Sequence, residues 1–149
     1  MLEKPQADID ALCEIYKTSF LTKNLGPDQH VVLAKSMQKR HFAVGECIIR
    51  YGDIGNEYFV MCWGTCKVTV YADGADPNAI DLETKVKFMK TLKADPDGVE
   101  KQPMVGFGEI ALLYNDKRTA SITAVTDCEA WVLSGDVYKS IVASHSINR

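Results

Sequence analysis

The stretch Gly106-Phe107-Gly108-Glu109-Ile110-Ala111-Leu112-Leu113-Tyr114-Asn115-Asp116-Lys117-Arg118-Thr119-Ala120-Ser121 concentrates the residues of this chain that could do chemistry. Two glycines ahead of a helix-favouring run let the backbone turn sharply and present the free amides of a helix start, where an anion is well placed. Asn115-Asp116 then turns the chain back, so that Arg118 can approach the same amides and add a planar cationic fork suited to phosphate oxygens. Glu109 would repel a bare anion. It makes sense beside a phosphate that carries a sugar, because an ionised carboxylate accepts hydrogen bonds from a hydroxyl. An acid, a nest of amides and an arginine together describe a ribose phosphate. The same residues also admit a purely structural reading, with Glu109 complementing the helix dipole and Arg118 as its surface ion-pair partner.

Other chemistries lack their parts. His30, His41 and His145 are widely separated, so each reads as a surface or hydrogen-bonded residue rather than a metal ligand. The serine-hydrolase elbow, the paired-histidine zinc helix and the phosphate-binding loop with its lysine are all absent, and Gly106 to Glu109 lacks the third glycine of a dinucleotide fingerprint. Nothing near the cassette in sequence activates water, so no catalytic residue and no metal is expected. The five cysteines, Cys13, Cys47, Cys62, Cys66 and Cys128, are odd in number and form no CxxC; they read as small buried packing residues in a reducing compartment.

The elements that must position the cassette belong to 149 residues, of which 46% are hydrophobic and 25% charged, ordinary values for one soluble domain. With 17 basic and 20 acidic residues the net charge is −3, which argues against duplex nucleic acid as a partner. No apolar run reaches membrane-spanning length, and the start MLEKPQADID lacks the apolar core of a secretory signal. A cytoplasmic location is expected.

Ile9, Leu12, Cys13, Tyr16 and Phe20 recur at helical spacing and predict a helix of about four turns. Gly26 suits its C-terminal cap, and Pro27 opens a second helix with Val32, Leu33, Ser36 and Met37 on one side. From Phe42 the texture becomes strand-like, with Glu46 to Tyr51, Tyr58 to Trp63 and Thr65 to Tyr71 separated by glycines. The first two are apolar on both faces. The third alternates, with Cys66, Val68 and Val70 on one side and Lys67, Thr69 and Tyr71 on the other. Insertions between Ala72 and Pro103 bracket Lys85 to Lys93, which reads as a strand whose lysines form a solvated face, or as a short helix. Strands follow at Ser121 to Val125 and Cys128 to Leu133, with Trp63 and Trp131 as core. Val137, Tyr138, Ile141 and Val142 restore a helical period behind a Ser134 or Asp136 cap. Several short strands between helices imply a sandwich or a barrel-like roll.

Phe107 to Leu113 followed by Arg118-Thr119-Ala120-Ser121 resembles the phosphate-binding cassette of eukaryotic cyclic-nucleotide-binding domains. Gly45-Glu46, Ile48-Ile49, Gly52-Asp53, Gly55-Asn56, Phe59-Val60, Gly64 and Val68 to Val70 are similar to the same family's first strands and turns. The resemblance spans about residues 42 to 142. It implies an α+β, mainly β fold: an eight-stranded, jelly-roll-like β-roll over 42–134, holding the cassette at 106–121, between an N-terminal helical bundle in 1–41 and a C-terminal helix starting in 135–149.

By the same resemblance the ligand is cGMP or cAMP, with no cofactor. Glu109 takes the ribose 2'-hydroxyl and Arg118 the cyclic phosphate. Gly108, Ala111 and Ala120 approach through their backbones, Ala111 and Ala120 offering amides, with Ile110 between them. Thr119 stands where cAMP-dependent kinase subunits usually place alanine and where cGMP-dependent kinases use threonine to reach the guanine 2-amino group. Lys117 replaces a common proline. The expected function is a regulatory sensor, most like a domain of cGMP-dependent protein kinase, that releases a kinase catalytic domain in cis or in trans. A cAMP-dependent kinase regulatory subunit and a nucleotide-gated channel domain are the alternatives, and no direct membrane insertion is implied.

Overall fold

In a computed structural model, which describes residues 4–147, the apolar spacing at the N-terminus folds into helix α1 (Gln6–Thr18), with Ile9, Leu12 and Tyr16 buried. Helix α1 ends before Phe20, which is exposed rather than part of the stripe. The helix also ends too early for Gly26 to cap it. Gly26 is instead the N-cap of α2 (Pro27–Ser36), with Pro27 in the first turn where its missing N–H costs nothing. The buried side of α2 is His30, Leu33 and Ala34, while Val32 and Ser36 face outward. The expected stripe is therefore rotated by about one residue, and Met37 just beyond the helix is buried. Tyr16 donates its hydroxyl to Met37 Sδ at 2.9 Å, which satisfies a phenol buried between the helices. Met1 to Glu3, Asn148 and Arg149, expected in the helical ends, lie outside the described residues, as does the side chain of His145.

Nine strands follow among the described residues: β1 (Gln38–Phe42), β2 (Cys47–Ile49), β3 (Ile54–Gly55), β4 (Glu57–Tyr71), β5 (Val86–Ala94), β6 (Val105–Phe107), β7 (Asp116–Lys117), β8 (Ser121–Ala124) and β9 (Cys128–Ser134). All pairings are antiparallel. Seven strands form one curled sheet and the short β3 and β7 form another. The two strands predicted on either side of Gly64 are one continuous strand, β4. Its first half pairs with β9 and β6, and its second half pairs with β8 and β5.

The doubly apolar faces of β4 and β9 now have a cause. Tyr58, Val60, Trp131 and Leu133 point to a core shared with α1, α2 and helix α3 (Gly135–Ile147). Their neighbours Phe59, Met61, Ala130 and Val132 point into the roll, where they meet Phe42, Ile49, Cys66 and Ile122. Ser134 caps α3 as expected, accepting a hydrogen bond from the Val137 amide at 3.1 Å. Lys4 Nζ and Lys39 Nζ lie 4.6 and 4.7 Å from the centroid of the buried Trp131 ring and attract its π face.

Three expectations fail here. Trp63 is half exposed rather than core, because it lies at a register shift where β4 changes partners. Cys47 is exposed, as β2 is covered on one side only. Cys66 and Cys128 are buried packing residues as predicted, and burial pushes the Cys66 thiol up to about 11. Beyond Lys85, which closes a 3₁₀ turn, this segment is strand as the first of its two readings has it, but its lysines do not share one solvated face.

Candidate functional site

Gly108 adopts φ 81, a left-handed conformation that glycine takes readily, and it converts the end of β6 into a single 3₁₀ turn, Glu109–Leu112. The helix-favouring run extends no further because Asn115 and the short β7 turn the chain back at once. Leu112 is fully buried in the helical core and anchors the turn. The return strand pairs Ile54 with Lys117 and Gly55 with Asp116. Two further backbone bonds clamp the arginine's own peptide units: Gly52 N–H donates to Arg118 O at 2.9 Å, and Arg118 N–H donates to Asp53 O at 2.7 Å.

The Arg118 side chain is seated on glycine. A Cβ at Gly55 would lie 2.4 Å from Arg118 Nε and 2.7 Å from Cζ, and one at Gly108 would lie 3.0 Å from Nη1. Arg118 Nη2 donates to Glu57 O at 2.8 Å, and the guanidinium carbon is 5.9 Å from the centre of the Phe59 ring. Desolvation draws the arginine's pKa below its ordinary value, against the pull of the Glu57 carboxylate; arginine remains a cation throughout the working pH range. A half-buried cation that spends one donor on a carbonyl keeps four others to offer.

All seven predicted residues, Gly108, Glu109, Ile110, Ala111, Arg118, Thr119 and Ala120, line one cavity of ≈ 570 Å³, within the usual range for small-molecule sites. Its wall of β-strand is apolar, supplied by Val68, Val70 and Ile122, and Phe88, Lys90 and Leu92 of β5 complete it. Among its described lining residues, Lys90 and Arg118 set cationic side chains beside the carboxylate of Glu109, so the cavity favours an anion. The Ala111 amide is used within the turn, donating to Gly108 O at 3.1 Å. Among the described residues, the amides of Glu109, Ile110, Thr119 and Ala120 have no such acceptor.

Glu109 is neither a dipole partner alone nor the ion-pair partner of Arg118. Its Oε1 accepts from the Leu21 amide at 2.7 Å, in the elbow between α1 and α2. Two residues escaped the sequence reading. The lysine spacing predicts a solvated face for Lys90, whereas the pairing of β5 with β4, with Val68 opposite Lys90, places it on the cavity side. Gly55 was visible only as part of a motif, and its cause, the guanidinium lying across it, is a contact between distant segments. The insertion after β4 packs outside the cassette: Tyr51 Oη donates to Ala75 O at 2.7 Å, under a second hollow of ≈ 510 Å³ that shares Lys117 to Ala120 with the first.

The cyclic nucleotide-binding domain family model matches residues 89–145, which include the whole turn and Arg118. A cAMP-dependent protein kinase regulatory subunit of Blastocladiella emersonii is 27% identical over 128 residues, covering 86% of this chain and 27% of its own length. Human cGMP-dependent protein kinase 2 is 31% identical over 126 residues, covering 85% of this chain and 13% of its own. Residues 89–145 of this chain are thus similar to the cyclic nucleotide-binding domain family. The regulatory domain of Toxoplasma gondii PKA, solved with cAMP, superposes with a TM-score of 0.66 at 27% identity, covering 93% of this chain and 46% of that one. The chain is thus similar to parts of cAMP- and cGMP-dependent kinase proteins, and it spans well under half the length of these curated relatives. Among the described residues, no helix is long and apolar enough to cross a membrane.

Proposed function

We propose that the cavity binds a cyclic purine nucleotide, with cGMP preferred over cAMP, and that occupancy relieves inhibition of a protein kinase catalytic domain in cis or in trans, in the cytoplasm. The observation that carries this reading is the Arg118 guanidinium, half buried and seated across Gly55 and Gly108 in a cavity that Glu109 also lines. The guanidinium and the amides of Glu109, Ile110, Thr119 and Ala120, which have no backbone acceptor among the described residues, supply donors for a cyclic phosphate, as an anion site formed by turn amides requires. Glu109 supplies an acceptor for the ribose hydroxyl.

The preference for guanine rests on two side chains. Guanine presents acceptors at O6 and N7, where adenine presents an amino donor at its 6-position. Lys90, on the cavity side of β5, offers an ammonium that suits the former. Thr119 adds a hydroxyl that can accept from the guanine 2-amino group while donating to phosphate. The alternative ligand, cAMP, is favoured by likeness to cAMP-dependent regulatory subunits.

Calorimetric titration with both nucleotides tests the reading. The expected result is saturable binding of each, tighter for cGMP. In Thr119→Ala, both nucleotides lose the bond to phosphate, and cGMP should lose about one neutral hydrogen bond more than cAMP, ~0.5–1.5 kcal/mol. Equal losses for both would remove the guanine assignment, and no binding of either would remove the function. Relief of inhibition follows if the two conformations differ in affinity for the nucleotide.

A further inference from the structure

Glu109 lines the cavity, and its carboxylate is held by the backbone of the N-terminal elbow. Glu109 Oε1 accepts from Leu21 N–H at 2.7 Å across 88 positions of sequence. Its Oε2 has no hydrogen-bond partner among the described residues, and Glu109 lines the cavity. The elbow that supplies the donor is itself well tied. Thr22, 1% exposed, donates its hydroxyl to Tyr16 O at 2.7 Å, and the buried His30 Nε2 lies 2.6 Å from Thr22 O. The carbonyl of the same Leu21 accepts from Tyr138 Oη of α3 at 2.8 Å. One residue thus joins the cassette, the helical elbow and the C-terminal helix.

From this geometry we infer that Leu21 is a positioning residue of the ligand site: its amide fixes one oxygen of Glu109 so that the other is presented to the ribose hydroxyl. The inference rests on the nucleotide reading above. A carboxylate has acceptor capacity for both partners at once. An ordered donor on one oxygen removes rotamer freedom that the ligand would otherwise have to restrict. Coupling of this kind is reciprocal, so a ribose hydroxyl that engages Oε2 must in turn strengthen the hold on Leu21. Through Tyr138 the same restraint reaches α3, which is how occupancy of the cavity would be felt at both helical ends of the domain.

Amide hydrogen exchange on the intact chain tests this, after calorimetry has set conditions of equal saturation with cGMP and with 2'-deoxy-cGMP. Exchange at Leu21 should slow with cGMP by about tenfold more than with the 2'-deoxy nucleotide, the effect of one charge-assisted hydrogen bond. Equal slowing by the two overturns the inference while leaving nucleotide binding intact. Faster exchange with cGMP also overturns it, since the hydroxyl would then be displacing Leu21. Failure of both nucleotides to bind overturns the nucleotide reading itself, and this inference with it. In Leu21→Pro, which lacks the donor, affinity for cGMP should fall about tenfold more than affinity for its 2'-deoxy form, and an equal fall for the two overturns the inference. If that variant does not fold, the exchange measurement on the unaltered chain decides.

Discussion

Replacing Gly55 by alanine asks whether the guanidinium seat is what the cavity needs. The new Cβ would stand 2.4 Å from Arg118 Nε and 2.7 Å from both Cζ and Nη2, far inside van der Waals contact. All three atoms belong to the end of a flexible side chain, and Gly55 does not have a positive φ. Relief therefore comes from swinging the arginine away, with the backbone left in place. Stability should change by less than about 1 kcal/mol, as for other substitutions that disturb no buried packing. Ligand affinity should fall by the worth of a charge-assisted hydrogen bond, ~1.5–3 kcal/mol, or roughly 10- to 150-fold. The assay is calorimetric titration with cGMP, paired with thermal melting. In an Arg118→Ala background the same Gly55→Ala change should cost almost nothing further, since the group it displaces is gone. Full affinity in Gly55→Ala, or an undiminished loss in the double variant, would refute the seat.

Three further outcomes follow from the same structure. Arg118→Lys keeps the charge but loses the planar fork and the bond to Glu57 O, and should weaken either nucleotide by ~1.5–3 kcal/mol in titration. Lys90→Met should lower affinity for cGMP at least about fivefold more than for cAMP, because guanine presents an O6 acceptor to the ammonium where adenine presents an amino donor; parallel titrations check it. Cys66, buried and with its thiol pushed up to about 11 from 9.0, binds its proton more tightly folded than unfolded. Its contribution to stability is complete below about pH 9 and falls as pH rises toward 11, by at most ~1.4 kcal/mol per pH unit. Cys66→Ala should flatten that part of an alkaline denaturation profile, and a mass-spectrometric alkylation time course should show exposed Cys47 modified well before Cys66 and Cys128.

Motifs that act through local backbone geometry were legible from residue order alone. Gly108, Glu109 and Arg118 announce a turn, an acid and a returning cation within a dozen positions, and the structure gathers them in one cavity. The strands were legible for a related reason: period-two alternation in Cys66 to Tyr71 survives because one face of that half of β4 meets the roll interior. Contacts between distant segments were not legible. Nothing around Lys90 distinguishes it from Lys87 until β5 pairs with β4 and fixes which alternate residues face the cavity. Nothing near Leu21 indicates that its amide meets a carboxylate 88 positions later. Trp63 misled for the opposite reason, since a strand-like apolar neighbourhood predicts burial and a register shift at that point leaves it half exposed.

The two lysines over Trp131 make the domain its own optical gauge. Trp131 is 6% exposed and Trp63 is 46% exposed, so their emission should separate into a blue component and a red one. Lys4 comes from the segment just ahead of α1 and Lys39 from β1, and both ammonium groups perturb the same indole. Undocking of the N-terminal helix would remove one of those charges and admit water to the ring. Excitation of a Trp63→Phe variant would then read the docking of α1 directly, in solution and without an added label.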